Sequence, residues 1–168
     1  MKKHWLKRTV FTLLISLPAV VFAADVQFPG VMTVPENPKL SFGGYFKHHQ
    51  PVKIVFSASD PGKPFQESLN NAALVIRYLK ARGYRYDIQY VLYGKATLVA
   101  DAFSDRYSNY EPLMRALHKA GVQFRVCHNS MYALHIKQSD LYSYMKVIPA
   151  GILQLVKKQM EGYAYIRN

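Results

Sequence analysis

The chain has one cysteine in 168 residues, and ten acidic residues against 22 lysines and arginines. A lone Cys127 excludes any disulfide within the chain. Without a Cys-x-x-Cys pair, dithiol exchange of the thioredoxin type is excluded too. Among so few acids, no two carboxylates stand at a spacing suited to general acid–base work. No Gly-x-Gly-x-x-Gly is present, so no dinucleotide site is indicated. Gly94-Lys95-Ala96-Thr97 has the end of a phosphate loop without its upstream glycine, and is rejected as one. Internal repeats and low-complexity segments are also lacking, and no pattern requires a cofactor. The apolar run at residues 10–22 is broken by Thr12, Ser16 and Pro18. It is shorter than the roughly 20 residues that span a bilayer.

That run has a different reading. Lys2, Lys3, Lys7 and Arg8 precede it, and Val21-Phe22-Ala23 closes it with small or aliphatic residues where a signal peptidase reads. Residues 1–23 are therefore expected to be a cleaved signal peptide, and the protein to be periplasmic or secreted with no stable membrane span. No cysteine follows the cleavage point to carry lipid. All ten acids lie beyond residue 23, yet the formal charge of +12 leaves the mature chain basic. Such a surface favours anionic ligands, an acidic partner or anionic lipid. Nucleic acid is not expected, because the basic residues are scattered and exported proteins rarely meet it.

Residues 24–50 read as an extended arm. Pro29, Pro35 and Pro38, with Gly30, Gly43 and Gly44, disfavour a helix throughout. Val26, Phe28, Val31, Phe42 and Phe46 make it too apolar for a free linker, so it is expected to pack on the domain or on a neighbouring subunit. From residue 51 to 168, strand and helix patterns alternate. Strands are expected at 52–56, 86–93, 122–126, 147–148 and 163–166. Helices are expected over 64–82, 96–103, 112–120 and 152–161, with a turn or two at 131–136. Pro64 suits a first helical turn, and Gly83, Gly121 and Gly162 suit helix stops. This alternation argues for an α/β/α sandwich around a mostly parallel sheet of about five strands. Ligands bind such sheets beyond the carboxyl ends of the strands. The loops at 57–63, 94–97 and 127–131 should gather there.

Cys127 ends the third strand, in Val122-Gln123-Phe124-Arg125-Val126-Cys127-His128-Asn129-Ser130. One reading is a small buried residue that closes a strand. The other is a nucleophile. Asn129 and Ser130 are good helix caps, so Cys127 is expected near a helix N-terminus that favours the thiolate, and a protonated His128 would add to this. His118, His128 and His135 with Cys127 match no established metal spacing, and no metal is assigned. The thirteen tyrosines suit a sheet or a subunit interface equally well.

Five features in order resemble the DsrE/DsrF-like family of sulfur-relay and sulfur-oxidation proteins. They are Val52-Lys53-Ile54-Val55-Phe56, Leu69-Asn70-Asn71-Ala72, Gly94 after the second strand, the segment around Cys127, and Ile148-Pro149-Ala150-Gly151 with the ending Glu161-Gly162-Tyr163-Ala164-Tyr165-Ile166. The resemblance implies a three-layer domain, a variant of the flavodoxin-like arrangement, assembled as a homotrimer or homohexamer. It implies that Cys127 accepts sulfur as a persulfide, supplied by anionic sulfur species or a relay partner protein. That role is carried to Cys127 alone; Asn70 and Asn71 are expected to help shape the pocket without chemistry of their own, and His128, Asn129, Ser130 and Gly94 to support it around the thiol. The alternative is a non-enzymatic module that binds a small ligand or partner, with Cys127 structural or redox-sensing.

Export gives a direct expectation. The protein recovered from the periplasm or medium should have the intact mass of a chain beginning at Ala24. Recovery of the full-length mass in the membrane fraction would show a retained anchor instead.

Overall fold

The computed structural model describes residues 27–35, 37 and 39–167. The expected signal peptide, the start of the arm at 24–26, and Asn168 lie outside the described residues. Five strands form one fully parallel sheet: β1 (Val52–Ala58), β2 (Tyr86–Leu92), β3 (Gln123–Cys127), β4 (Lys146–Ile148) and β5 (Ala164–Arg167). Their order is β4-β3-β2-β1-β5. The first four step in one direction, and β5 returns to the far side of β1.

Parallel connections are almost always right-handed. Stepping one way puts α2 (Lys63–Ala81) and α3 (Glu111–Lys119) on one face. Stepping back puts α5 (Gly151–Met160) on the other. The burial pattern agrees with this. Ile54, Phe56, Ile88 and Tyr90 join a large core with Leu69, Ile76 and Leu117, while Val55 and Val91 pack with Leu155 and Tyr163 on the opposite side. In the larger core the Tyr90 ring stacks between Phe56 and Phe124, at centroid distances of 5.9 and 5.5 Å. This is the α/β/α architecture that the alternating pattern predicts.

The α5 face is held mostly by polar groups. Gln154 Nε2 donates to Gln89 Oε1 at 2.8 Å, and Gln89 Nε2 donates to Gln123 Oε1 at 3.3 Å. Gln123 Nε2 and the Tyr163 hydroxyl both donate to Asp87, at 3.2 and 2.6 Å. Each polar side chain of this lattice is matched by another, which removes the cost of burying it unpaired. Arg77 on α2 and Lys157 and Lys158 on α5 lie on opposite faces of the sheet, so the helical cations do not form one basic patch.

Several local expectations are corrected. The arm is not extended throughout, because Gly43–His48 forms a helix, α1. Tertiary contacts override its glycines. Gly43 N–H donates to Ser41 Oγ at 3.1 Å, the Tyr84 hydroxyl donates to Gly43 O at 3.0 Å, and Phe46 packs edge-on against Tyr78. The arm does pack on the domain: Phe28 is buried, and Arg77 Nη1 donates to Met32 O. The helix expected at 96–103 is a 3-10 segment at Gly94–Ala100, and a second one at Asp105–Tyr110 gave no signal in the sequence. No loop follows Cys127. The short helix α4 (His128–Ala133) begins at once, three residues earlier than expected.

Leu155 is 2% exposed and is the main apolar anchor of the only helix on its face among the described residues. Leu155→Ala should cost about 2–5 kcal/mol in urea unfolding with an unchanged m-value. A loss below about 1 kcal/mol would mean that the polar lattice alone fixes α5.

Candidate functional site

The carboxyl edge of the sheet brings three chain segments together at Cys127. Strand β3 ends on this residue, which pairs with Ile148 of β4 and is 5% exposed. Its backbone is still extended, while the next residue is helical, so Cys127 is the N-cap of α4. The first N–H groups of a helix have no partner within it. Cys127 makes no side-chain capping hydrogen bond, but the N–H groups of Asn129 and Ser130 lie close enough to lower the pKa of its thiol.

The third segment arrives from α5. Only Pro149 and Ala150 separate β4 from Gly151, the first residue of α5, which has no side-chain cap. The Gly151 N–H also lowers the pKa of that thiol. A Cβ at Gly151 would lie 2.7 Å from Tyr93 Cβ and 3.5 Å from Cys127 Cβ. Glycine is required because these backbones meet too closely for a side chain. Two helix N-termini, one of six residues and one of ten, therefore converge on one thiol.

Ser130 completes the set. Its Oγ accepts the Gly94 N–H at 2.8 Å, and its hydroxyl acts on the Cys127 sulfur. Gly94 has φ +55°, and a Cβ there would stand 2.9 Å from Ser59 O. Both facts restrict the position to glycine. Burial pushes the Cys127 thiol up. Hydrogen bonding from the Ser130 hydroxyl and the N–H groups of Gly151, Ser130 and Asn129 outweighs it, so the pKa falls below the ordinary cysteine value. The lowered pKa raises the thiolate share, the nucleophilic form, above that of an ordinary cysteine. Beside it lies an open cavity of about 300 Å³ lined by Gly94, Lys95, Asn129, Ser130, Ala133 and Leu134. Lys95 is exposed there and makes no ion pair among the described residues.

Of the residues singled out in the sequence, Cys127, Asn129, Ser130 and Gly94 come together. His128 heads α4 but is exposed, with no hydrogen-bond partner among the described residues. Asn70 and Asn71 do not join them. Asn70 accepts from Gln66 Nε2 at 3.0 Å and lines a separate cavity with Gly30 and Asn109, and Asn71 is exposed on α2. His118 is turned away, stacked on Tyr144. Among the described residues no three His, Cys, Asp or Glu side chains converge on a metal position. Gly151 and Tyr93 are site residues that sequence reasoning missed. The signal available was the Pro149-Ala150-Gly151 sequence right after a strand, which marks a helix start next to the carboxyl edge of the sheet.

A parallel sheet with helices on both faces and a cysteine held under helix N-termini at its carboxyl edge defines a thiol-bearing α/β domain. The chain belongs to the DsrE/DsrF-like family, whose sequence profile matches residues 51–167. Solved structures of other proteins share its fold. A protein of unknown function, MTH1491 from Methanobacterium thermoautotrophicum, is 25% identical, with a TM-score of 0.61 over 68% of this chain and 97% of its own. The ychN protein from E. coli is 14% identical, with a TM-score of 0.55 over 69% and 98%. A conserved protein of unknown function, BT1422 from Bacteroides thetaiotaomicron, is 17% identical, with a TM-score of 0.53 over 70% and 95%. No functionally curated protein matches significantly.

The site makes a pH prediction. In the native protein, Cys127 alkylation should rise with pH about a midpoint below the ordinary thiol value. Ser130→Ala, and more strongly Gly151→Ala, should move that midpoint upward. Equal midpoints in all three would show that these groups do not stabilise the thiolate.

Proposed function

We propose that this is an exported sulfur-carrier or sulfurtransferase-like protein in which Cys127 holds a persulfide. The observation that carries the reading is the place of Cys127, as the N-cap of α4 and against Gly151 at the start of α5, where nearby N–H groups and the Ser130 hydroxyl lower its pKa. These groups stabilise negative sulfur, whether thiolate or the charged outer atom of a persulfide.

The chemistry balances without an oxidant. Cys127 thiolate attacks the outer sulfur of a donor persulfide, R–S–S⁻. A bond forms between Cys127 Sγ and that sulfur, the donor S–S bond breaks, and R–S⁻ leaves with the electron pair. An acceptor thiolate then attacks the outer sulfur of Cys127–S–S⁻ and regenerates the Cys127 thiolate. The Cys127 site suits this role because it holds a single thiol that cannot resolve itself into a disulfide within the chain. Exposed Lys95 favours an anionic donor or an acidic partner surface. The exposed apolar residues Ile152, Leu153 and Val156 on α5 support self-association, as a homotrimer or homohexamer.

The near-complete burial of Cys127 favours a second reading, a ligand- or partner-binding module whose cysteine is structural or redox-sensing. One experiment separates the two. The folded protein is incubated with a persulfide donor and with thiosulfate, and intact mass is recorded with Cys127→Ser as control. The carrier reading expects the mass of one added sulfur, removed by thiol reductant and absent from the variant. No added sulfur, together with slow alkylation of the native thiol, would favour the second reading.

A further inference from the structure

Another cavity lies at the other end of the strands. It measures about 470 Å³ and sits between the arm, α2 and the β1–β5 edge. Its walls are Phe42 just before α1, Phe46 of α1, Leu74 and Tyr78 of α2, and Ile54 and Ile166 of the sheet. They expose almost no polar atom to it. It runs into a smaller and more polar cavity of about 320 Å³, where Tyr45, His49 and Gly162 join the lining. Phe46, Val52, Lys53 and Ala164 line both. The combined shape is an apolar pit with a polar mouth, within the size range of small-molecule sites.

The mouth carries positive charge only. No acidic side chain lines either cavity. Lys53 Nζ lies 3.3 Å from the Glu161 carbonyl, next to Gly162 at the mouth, and 5.7 Å from the centre of the Tyr163 ring, with no carboxylate in ion-pair contact among the described residues. The nearby Glu161 carboxylate is already engaged by Lys158 at 2.8 Å and Lys157 at 3.5 Å. His49 is fixed at the same mouth, with Nδ1 2.7 Å from Tyr45 O and its ring stacked on Tyr45.

We propose that this groove binds an aliphatic monocarboxylate, with the hydrocarbon tail between α1, α2 and β5 and the carboxylate at Lys53. The apolar walls favour this ligand over a peptide, whose backbone amides would enter a space with nothing to meet them. The acid-free mouth favours an anionic head over a neutral one. The site lies away from Cys127, which ends its strand at the opposite, carboxyl edge.

The test is calorimetric titration of the purified protein with octanoate, decanoate, dodecanoate and the matching alcohols. Affinity should rise about fourfold per added methylene until the pit is full. Carboxylates should bind more tightly than alcohols, and Lys53→Gln should remove that advantage without weakening the alcohols. Leu74→Glu, at a half-exposed helical position, should abolish carboxylate binding, and the milder Leu74→Gln should weaken it, both with unchanged circular dichroism. Cys127→Ser should bind as the parent does. No binding, binding indifferent to chain length, or binding that survives Leu74→Glu would overturn the proposal. So would sedimentation showing that Leu74→Glu only dissociates an oligomer, which would make the groove a contact between copies.

Discussion

The approach of Gly151 to Cys127 is the contact around which the carboxyl edge is organised. Strand β4 is only three residues long and pairs its last residue with Cys127. With two residues left before α5, that helix has to start directly over the sulfur. Tyr93 closes the space from the side of β2, so that a methyl group at residue 151 has no room. The glycine therefore allows both the packing of α5 and the arrival of its first N–H at the thiol. Sheet register, connection length and thiolate chemistry meet in one backbone position.

Much of this was legible in the chain. The apolar, β-branched run of β1 and the alternation in β2 mark the strands, and Gly83, Gly121 and Gly162 each adopt the positive φ that ends a helix. The sheet and the place of Cys127 follow from these local signals. What was not legible depends on contacts distant in sequence. Helix α1 contains two glycines and exists because Tyr78 and Tyr84 hold it. The role of Gly151 depends on Tyr93, which reaches it only after the chain has crossed the sheet. Asn70 and Asn71 failed as site residues for a related reason. Position along α2 says nothing about which cavity the helix will border, and Asn70 borders the one made by Gly30 and Asn109.

The two faces of the sheet do different work. One is a stacked aromatic and aliphatic core, which supplies most of the buried apolar surface and hence most of the stability. The other has one small apolar cluster and an amide lattice through Gln89, Gln123, Gln154 and Asp87. Hydrogen bonds are directional where apolar contacts are not. The lattice therefore fixes the rotation and height of α5, and through them the aim of the Gly151 N–H. Stability and site geometry are thus assigned to opposite sides of one sheet.

Ser130 joins two segments that stand 36 residues apart in the chain. Its oxygen accepts the Gly94 N–H at 2.8 Å, and hydrogen bonding from the same side chain lowers the pKa of Cys127. A hydroxyl can donate one hydrogen bond while it accepts others. The turn after β2 is thereby tied to the sulfur at the end of β3 through one small neutral group. A shift of the Gly94 backbone would be felt at the thiol, and the cleft has a mechanical coupling across it with no charged side chain.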